Sequence, residues 1–261
     1  MSQSKGFALV TGASSGIGAA YAARLAERGH DLILVARRKD RLENLADQLR
    51  SLHGRTVETV QADLSSESDV AEVENILSSH PNVQVLVNCA GLGALGPATS
   101  PASAAVGGML KVNVLALTQL SLAAAKRFAA AKSGTIINIG SVVAFMPVAG
   151  AGGYSGSKAY VLNFSRALQA ELAESNVTVQ VVMPGPVRSE FFGDKPSPFP
   201  EHLFMDSETL VDTALIALEQ GETVCFPNLQ EIEAWQTVEA ARGGLVKGFN
   251  QSGKPAPRYS K

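Results

Sequence analysis

The chain is poor in cysteine: Cys89 and Cys225 are the only two among 261 residues. That is too few for a disulfide framework or a thiolate metal cluster, so no metal site is read and a reducing, cytoplasmic setting is expected. Charge of one sign is lacking too, since 22 basic and 24 acidic side chains leave a net charge of −2. No global field therefore recruits nucleic acid or an anionic membrane surface, and neither is expected as a partner. No unbroken apolar run approaches the roughly 18–20 residues of a bilayer span. The short polar opening, residues 1–6, runs straight into a strand and leaves no room for a signal peptide. Repeats and low-complexity blocks are absent as well.

What is present is a large apolar fraction, 46% of residues, arranged with a clear alternation. Buried strands are predicted over 7–11, 31–36, 56–61, 83–87, 134–140 and 177–183, with a last short one over 222–226. Helices are predicted between them over 16–28, 41–52, 66–78, 105–131, 154–174 and 207–220. Near-continuous apolar strands separated by helices indicate a parallel sheet covered on both faces. The expectation is one catalytic domain over 1–250 and a frayed tail over 251–261. After Met183 five prolines interrupt a stretch that also holds Phe191, Phe192, Phe199 and Phe204, which reads as a lid over about 186–206.

The first strand ends in Thr11-Gly12-Ala13-Ser14-Ser15-Gly16-Ile17-Gly18. Gly12 permits a tight turn, Gly16 lets backbone approach phosphate, and Gly18 lets the next helix pack on the sheet. The helix then offers free N–H groups and its positive dipole end to a pyrophosphate. The setting, strand before and helix after, is what gives the glycine pattern meaning. The second strand ends in Val35-Ala36-Arg37-Arg38-Lys39, with no carboxylate before Asp40 to bind a ribose 2′-hydroxyl. A guanidinium there suits a 2′-phosphate, with Arg37 the main candidate and Arg38 in support, so NADP(H) is favoured and NAD(H) is the alternative. Asp63, with Leu64 beside it, reads either as a ligand of the adenine amino group or as a turn residue.

Tyr154 and Lys158 stand four apart on one helix face, and Ser141 lies thirteen residues upstream of the tyrosine. A phenol is a poor base at neutral pH, and a nearby ammonium lowers its pKa toward the range useful for proton transfer. Ser141, at the end of a buried strand, is placed to hold a substrate oxygen. Asn113, inside the long helix, is placed to hold a water linking Lys158 to solvent.

Taken with Asn88-Cys89-Ala90-Gly91 and Pro184-Gly185, these motifs closely resemble the short-chain dehydrogenase/reductase family in its compact single-domain branch, over roughly seven-tenths of the chain. The resemblance implies an α/β Rossmann-type three-layer sandwich with a seven-stranded parallel sheet. It implies Tyr154 as acid/base, Ser141 as substrate-oxygen partner, Lys158 as pKa modifier and ribose ligand, and Asn113 as relay residue. It places Asn88, Ala90, Gly91, Pro184, Gly185 and Val187 along the dinucleotide, Val187 at the nicotinamide carboxamide. Three positions depart from the family's pattern: Cys89 replaces an asparagine, Ser189 a threonine, and Ser15 the basic residue of many NADP-preferring members.

The expected activity is interconversion of a small carbonyl compound and its alcohol. Phe145, Met146, Phe191, Phe192 and Phe204 suggest an apolar pocket, and Arg188 reads as a ligand of an anionic substrate group or as one side of a salt bridge. By resemblance a homotetramer or homodimer is expected. The alternatives are an NAD-dependent alcohol dehydrogenase, a nucleotide sensor without turnover and, further off, a sugar-nucleotide epimerase or dehydratase.

Overall fold

The computed structural model describes residues 4–97, 99, 103–192, 199–249 and 253–259. Seven parallel strands form one sheet: β1 (Phe7–Thr11), β2 (Asp31–Ala36), β3 (Val57–Gln61), β4 (Val83–Asn88), β5 (Gly134–Ile139), β6 (Val177–Val182) and β7 (Val224–Cys225). Their order is β3-β2-β1-β4-β5-β6-β7. The helices α1 (Gly16–Glu27), α2 (Lys39–His53) and α7 (Ser207–Glu219) supply Tyr21, Leu25, Leu42 and Leu210 to one side of the sheet. The other side is covered by α3 (Glu67–Ser79), α5 (Leu117–Ala131) and α6 (Gly152–Glu171), with Val73, Leu77, Leu120, Phe128 and Leu168 buried, and α4 (Ser103–Leu110) packs against α6.

Strand residues alternate between these two cores. Ala8, Val10, Leu32 and Leu34 face the first, Leu9, Ile33 and Val35 the second. A strand that must bury both faces has no polar side to show, which is why these segments are apolar throughout. This is the three-layer Rossmann arrangement expected from the sequence. Strand order reverses between β1 and β4, and in open α/β sheets the crevice at such a reversal is where ligands sit.

A buried polar network crosses the second core. Asn88 Nδ2 donates to Ser121 Oγ and to Asn138 Oδ1, both at 2.9 Å, and Asn138 Nδ2 donates to Ser165 Oγ at 2.9 Å. Four residues thus tie β4, β5, α5 and α6 together just below the crevice.

Two helical features depart from the expected pattern. The helix expected over 105–131 is continuous but widens into a π-turn, Lys111–Ala116, between α4 and α5. This run, Ala104–Ala131, reaches a mean hydropathy of 1.3 over its most apolar window and is long enough to cross a membrane by length and composition. It is not an unbroken apolar run, because Lys111, Asn113 and Gln119 punctuate it. Here Val112, Leu120 and Phe128 bury its inner face on the sheet. The second feature is α8 (Glu233–Phe249), for which no helix was expected. The sheet and helices α1–α7 lie in one compact unit, Met1–Pro227; α8 lies in a second, Asn228–Lys261.

Replacing Asn138 by alanine removes the hub of the buried network and leaves Asn88 and Ser165 short of partners. The expected loss of stability in urea unfolding is about 1–3 kcal/mol, the cost of stranding buried polar groups. An unchanged unfolding midpoint would mean that the network carries no net stability.

Candidate active site

The glycine turn lies where backbone meets backbone. Gly12 has φ +68°, and a Cβ there would come within 2.9 Å of the Ala90 main chain. At Gly18 a Cβ would stand 2.3 Å from the Gly12 carbonyl oxygen. Thr11 closes the same seam: its hydroxyl donates to the Val87 carbonyl and accepts from the N–H groups of Cys89 and Ala90. Ser15 precedes α1 without a side-chain capping bond, which leaves the helix N-terminus open to an anion. These close approaches and the open helix end fit a dinucleotide pyrophosphate.

Of the two arginines after β2, Arg38 is the one that reaches the turn. Its Nε and Nη2 donate to Ser14 Oγ at 3.2 and 3.0 Å, and Nη2 also donates to Ser15 Oγ at 2.8 Å. Arg37 is exposed, and its carbonyl accepts from Gln61 Nε2. Its charge helps hold the Asp63 carboxyl below the ordinary aspartate value, after the larger effect of the Ser65 N–H bond. One Asp63 oxygen takes both the N–H and the hydroxyl of Ser65, so the turn role is filled with that oxygen alone. Leu64 is buried in the second core.

Tyr154 stands in the first turn of α6, partly buried, with Lys158 one turn on and fully enclosed. Lys158 Nζ donates to the Ile139 carbonyl at 2.8 Å and lies 5.8 Å from the centre of the Tyr154 ring. Burial drives both groups toward their neutral forms. Loss of solvent pushes the phenol up to about 12, a hydrogen bond with Ser141 opposing the shift. It brings the Lys158 ammonium down to about 8. The expected lowering of the phenol by the lysine is outweighed here by desolvation, which acts on Tyr154 more strongly than any charge in the site.

Ser141 is buried at the end of β5; its hydroxyl accepts from the Val143 N–H and donates to the Pro184 carbonyl, each at 3.4 Å. Asn113 is buried in the π-turn, an irregularity that often marks functional sites. Its amide is committed to the Leu92 main chain, accepting from the N–H at 2.8 Å and donating to the carbonyl at 2.9 Å. Gly91 lies beside both: a Cβ there would be 3.6 Å from Asn113 Oδ1 and 3.9 Å from Lys158 Nζ. The side chain of Asn88 belongs to the buried network.

On the open side, the ring of Phe191 lies 5.3 Å from that of Tyr154 and packs on Gly93. Phe145 and Phe226 pair at 6.0 Å, and Met146, next to Phe145 in sequence, is exposed. The turn after β6 is anchored by a bridge between Val187 and Met205. Arg188 pairs with Glu201 and Asp206, which is the salt-bridge reading of that residue. Residues 193–198, the middle of the expected lid, lie outside the described residues, as does the side chain of Phe192. A surface recess of about 580 Å³ on the outer side of α1 touches Glu190 and holds none of Ser141, Tyr154 and Lys158.

The signal for Gly93 is a glycine following Gly91 by two residues in the loop after β4; Phe226 and Glu190 carry no local signal. A sequence model of the short chain dehydrogenase family matches residues 6–198. An uncharacterised oxidoreductase of Staphylococcus saprophyticus is 32% identical over 226 residues, 86% of this chain and 94% of its own. A short-chain dehydrogenase from Sphingobium yanoikuyae, solved in complex with NADPH, is 41% identical with a TM-score of 0.93, covering 97% of this chain and 100% of its own. The bulky-bulky ketone specific alcohol dehydrogenase from Comamonas testosteroni, in its orthorhombic crystal form, is 39% identical with a TM-score of 0.91, covering 99% and 100%.

The lowered pKa of Lys158 has a signed consequence for stability. Between about pH 8 and the 10.5 of an unperturbed lysine, the unfolded chain holds a proton that the folded chain has released. Stability contributed by this group therefore rises with pH across that window. Above pH 10 the raised Tyr154 works the other way, the folded chain keeping its proton up to about 12. Urea unfolding between pH 8 and 10 is expected to show a rising component in the wild type that Lys158→Met lacks; parallel profiles would contradict it.

Proposed function

Because the chain belongs to the short-chain dehydrogenase family, we propose that it is an NADP(H)-dependent oxidoreductase that interconverts a ketone or aldehyde with its alcohol. The observation that carries this reading is the convergence of Tyr154, Ser141 and Lys158 at the mouth of the β1/β4 crevice. The bound nicotinamide supplies or accepts the hydride. The Gly12–Gly18 turn, with the Ser14 and Ser15 hydroxyls, holds the pyrophosphate, and Arg37 and Arg38 meet the 2′-phosphate. The free Asp63 oxygen takes the adenine amino group, the backbone along Asn88, Ala90 and Gly91 flanks the dinucleotide, Lys158 holds a ribose, and the main chain at Pro184, Gly185 and Val187 holds the carboxamide. The NADPH complex of the Sphingobium relative supports this cofactor. The NAD(H) alternative draws on Ser15, which is not basic, and on a carboxylate already seated on Arg38.

Tyr154 works as the acid in reduction. A phenol kept protonated by burial can give its proton to the carbonyl oxygen as the carbon is reduced, and take it back in the reverse reaction. Ser141 donates a hydrogen bond to the same oxygen and fixes it within reach of the phenol. Asn113 fixes the Leu92 backbone next to Gly91, which lies beside Lys158, and so positions the proton path. The substrate is a ketone or aldehyde of moderate size with apolar groups beside the carbonyl. Phe145, Met146, Phe191 and Gly93 support this, as does the ketone preference named for the Comamonas relative.

The outer face of α5 and α6 is the proposed subunit contact, giving a homotetramer or homodimer. The exposed face begins at Leu115 of the π-turn, 56% open, and continues over Leu122 and Tyr160, whose ring stacks on Phe164.

Turnover and binding test the reading together. Tyr154→Phe is expected to lose about 10²–10⁴ in ketone reduction while still binding NADPH. Removing the arginine that meets the 2′-phosphate, by Arg37→Ala or Arg38→Ala, is expected to weaken NADPH by about tenfold or more and NADH by less than about twofold. Equal affinities for the two cofactors would overturn the NADP(H) assignment, and reduction of only highly charged polyhydroxy ketones or aldehydes would overturn the apolar pocket. For the assembly, light scattering behind size exclusion is expected to give a multiple of 27.2 kDa. A monomer mass would remove α5 and α6 from consideration as an interface.

A further inference from the structure

Arg38 already holds a carboxylate. Its Nη1 donates to Glu190 Oε2 at 2.6 Å, and Arg41 Nη1 donates to Glu190 Oε1 at 2.6 Å. The other edge of the Arg38 guanidinium faces Ser14 and Ser15. Glu190 thus sits between two cations at the end of β2, beside the glycine turn, having come from the segment after β6. Two guanidinium groups bracketing a planar anion is the arrangement that suits a phosphate equally well. All three partners are solvent-accessible, so exchanging one anion for another requires no burial of charge.

Glu190 is joined directly to Phe191 in a single 3-10 turn, Glu190–Phe192. Phe191 is the residue that covers Tyr154, and it rests on Gly93 so closely that a Cβ there would come within 2.7 Å of the ring. Neighbours in a one-turn segment do not move independently. A backbone shift that moves the carboxylate therefore also moves the ring over the phenol.

We propose that Glu190 is a specificity-determining residue: it occupies Arg38, one of the two arginines assigned to the cofactor's 2′-phosphate, so that NADP(H) must displace it and shift Phe191 over Tyr154, whereas NAD(H) leaves both in place. The inference rests on the NADP(H) reading above. A phosphate of up to two negative charges outcompetes a single carboxylate for Arg38, and the two anions repel each other at one site.

Adenosine 2′,5′-bisphosphate and 5′-AMP isolate the 2′-phosphate, because neither carries the nicotinamide that would reach Tyr154. Calorimetry on wild type, Glu190→Gln and Glu190→Asp, with thermal melts to check folding, measures the competition. Glu190→Gln is expected to tighten the bisphosphate about two- to fivefold, the size of an exposed ion pair, and to leave 5′-AMP unchanged. Glu190→Asp, too short to bridge both arginines, is expected to fall between. Phe191→Trp then reports on the ring, measured against the parent whose one native tryptophan is Trp235. Its emission is expected to shift with the bisphosphate and not with 5′-AMP, and Glu190→Gln is expected to abolish that shift. Unchanged bisphosphate affinity in Glu190→Gln, equal tightening of both nucleotides, or no bisphosphate-specific emission change would overturn the proposal. Failure of the underlying reading looks different: wild type itself would bind the two nucleotides alike, which removes the NADP(H) assignment and this inference with it.

Discussion

The contact that organises this molecule is between two stretches of backbone, the turn after β1 and the end of β4. A single methyl group on Gly12 would collide with Ala90, and one on Gly18 with Gly12. Thr11 then locks the seam with three hydrogen bonds across it. Because β1 leads away toward β2 on one side and β4 toward β5 on the other, the chain leaves this seam in opposite directions and a crevice opens above it. The open end of α1 faces that crevice, and the loop bearing Ala90 and Gly91 forms its other wall. From Gly91 the wall continues to Asn113 and Lys158, so the chemical residues take their places from the same close approach.

Within the crevice, desolvation decides the protonation states. Tyr154 and Lys158 are neighbours on one helix, and in water their opposite charges would favour a phenolate beside an ammonium. Enclosed as they are, the phenol moves up and the lysine down. The bond from Nζ to the Ile139 carbonyl holds the lysine without requiring a counter-ion. A site in this state keeps the proton on the Tyr154 phenol at neutral pH.

Much of this was legible in the sequence, for local reasons. Strands buried on two faces must be apolar throughout, so their positions stand out from a helix-covered background. The glycine turn is written in consecutive residues, and Tyr154 and Lys158 share a helix face by spacing alone. What was not legible depends on pairings set by the return of the chain. Glu190 meets Arg38 across 152 positions, and nothing local to either marks the partner. Asn88 was legible as part of a motif, but the work of its side chain depends on Asn138 and Ser121, which no spacing rule connects. The π-turn at Asn113 follows from the Leu92 backbone it grips, a tertiary fact. In α8 the apolar positions Val238, Ala241, Leu245 and Phe249 do recur at helical spacing, but Gly243, Gly244 and Gly248 weaken the signal.

The two ends of the crevice also sit in different dielectric settings. Arg38, Arg41 and Glu190 are each about half exposed, so salt screens their interactions and one anion readily replaces another. Lys158 and the Ser141 hydroxyl are buried and feel little of the bulk ionic strength. The exposed end is therefore suited to choosing among nucleotides, where reversible exchange matters. The enclosed end is suited to holding a proton, where exchange with solvent would be a loss. The short turn carrying Glu190 and Phe191 spans both settings, which makes it the one described segment where selection of the cofactor and access to the phenol bear on the same few backbone torsions.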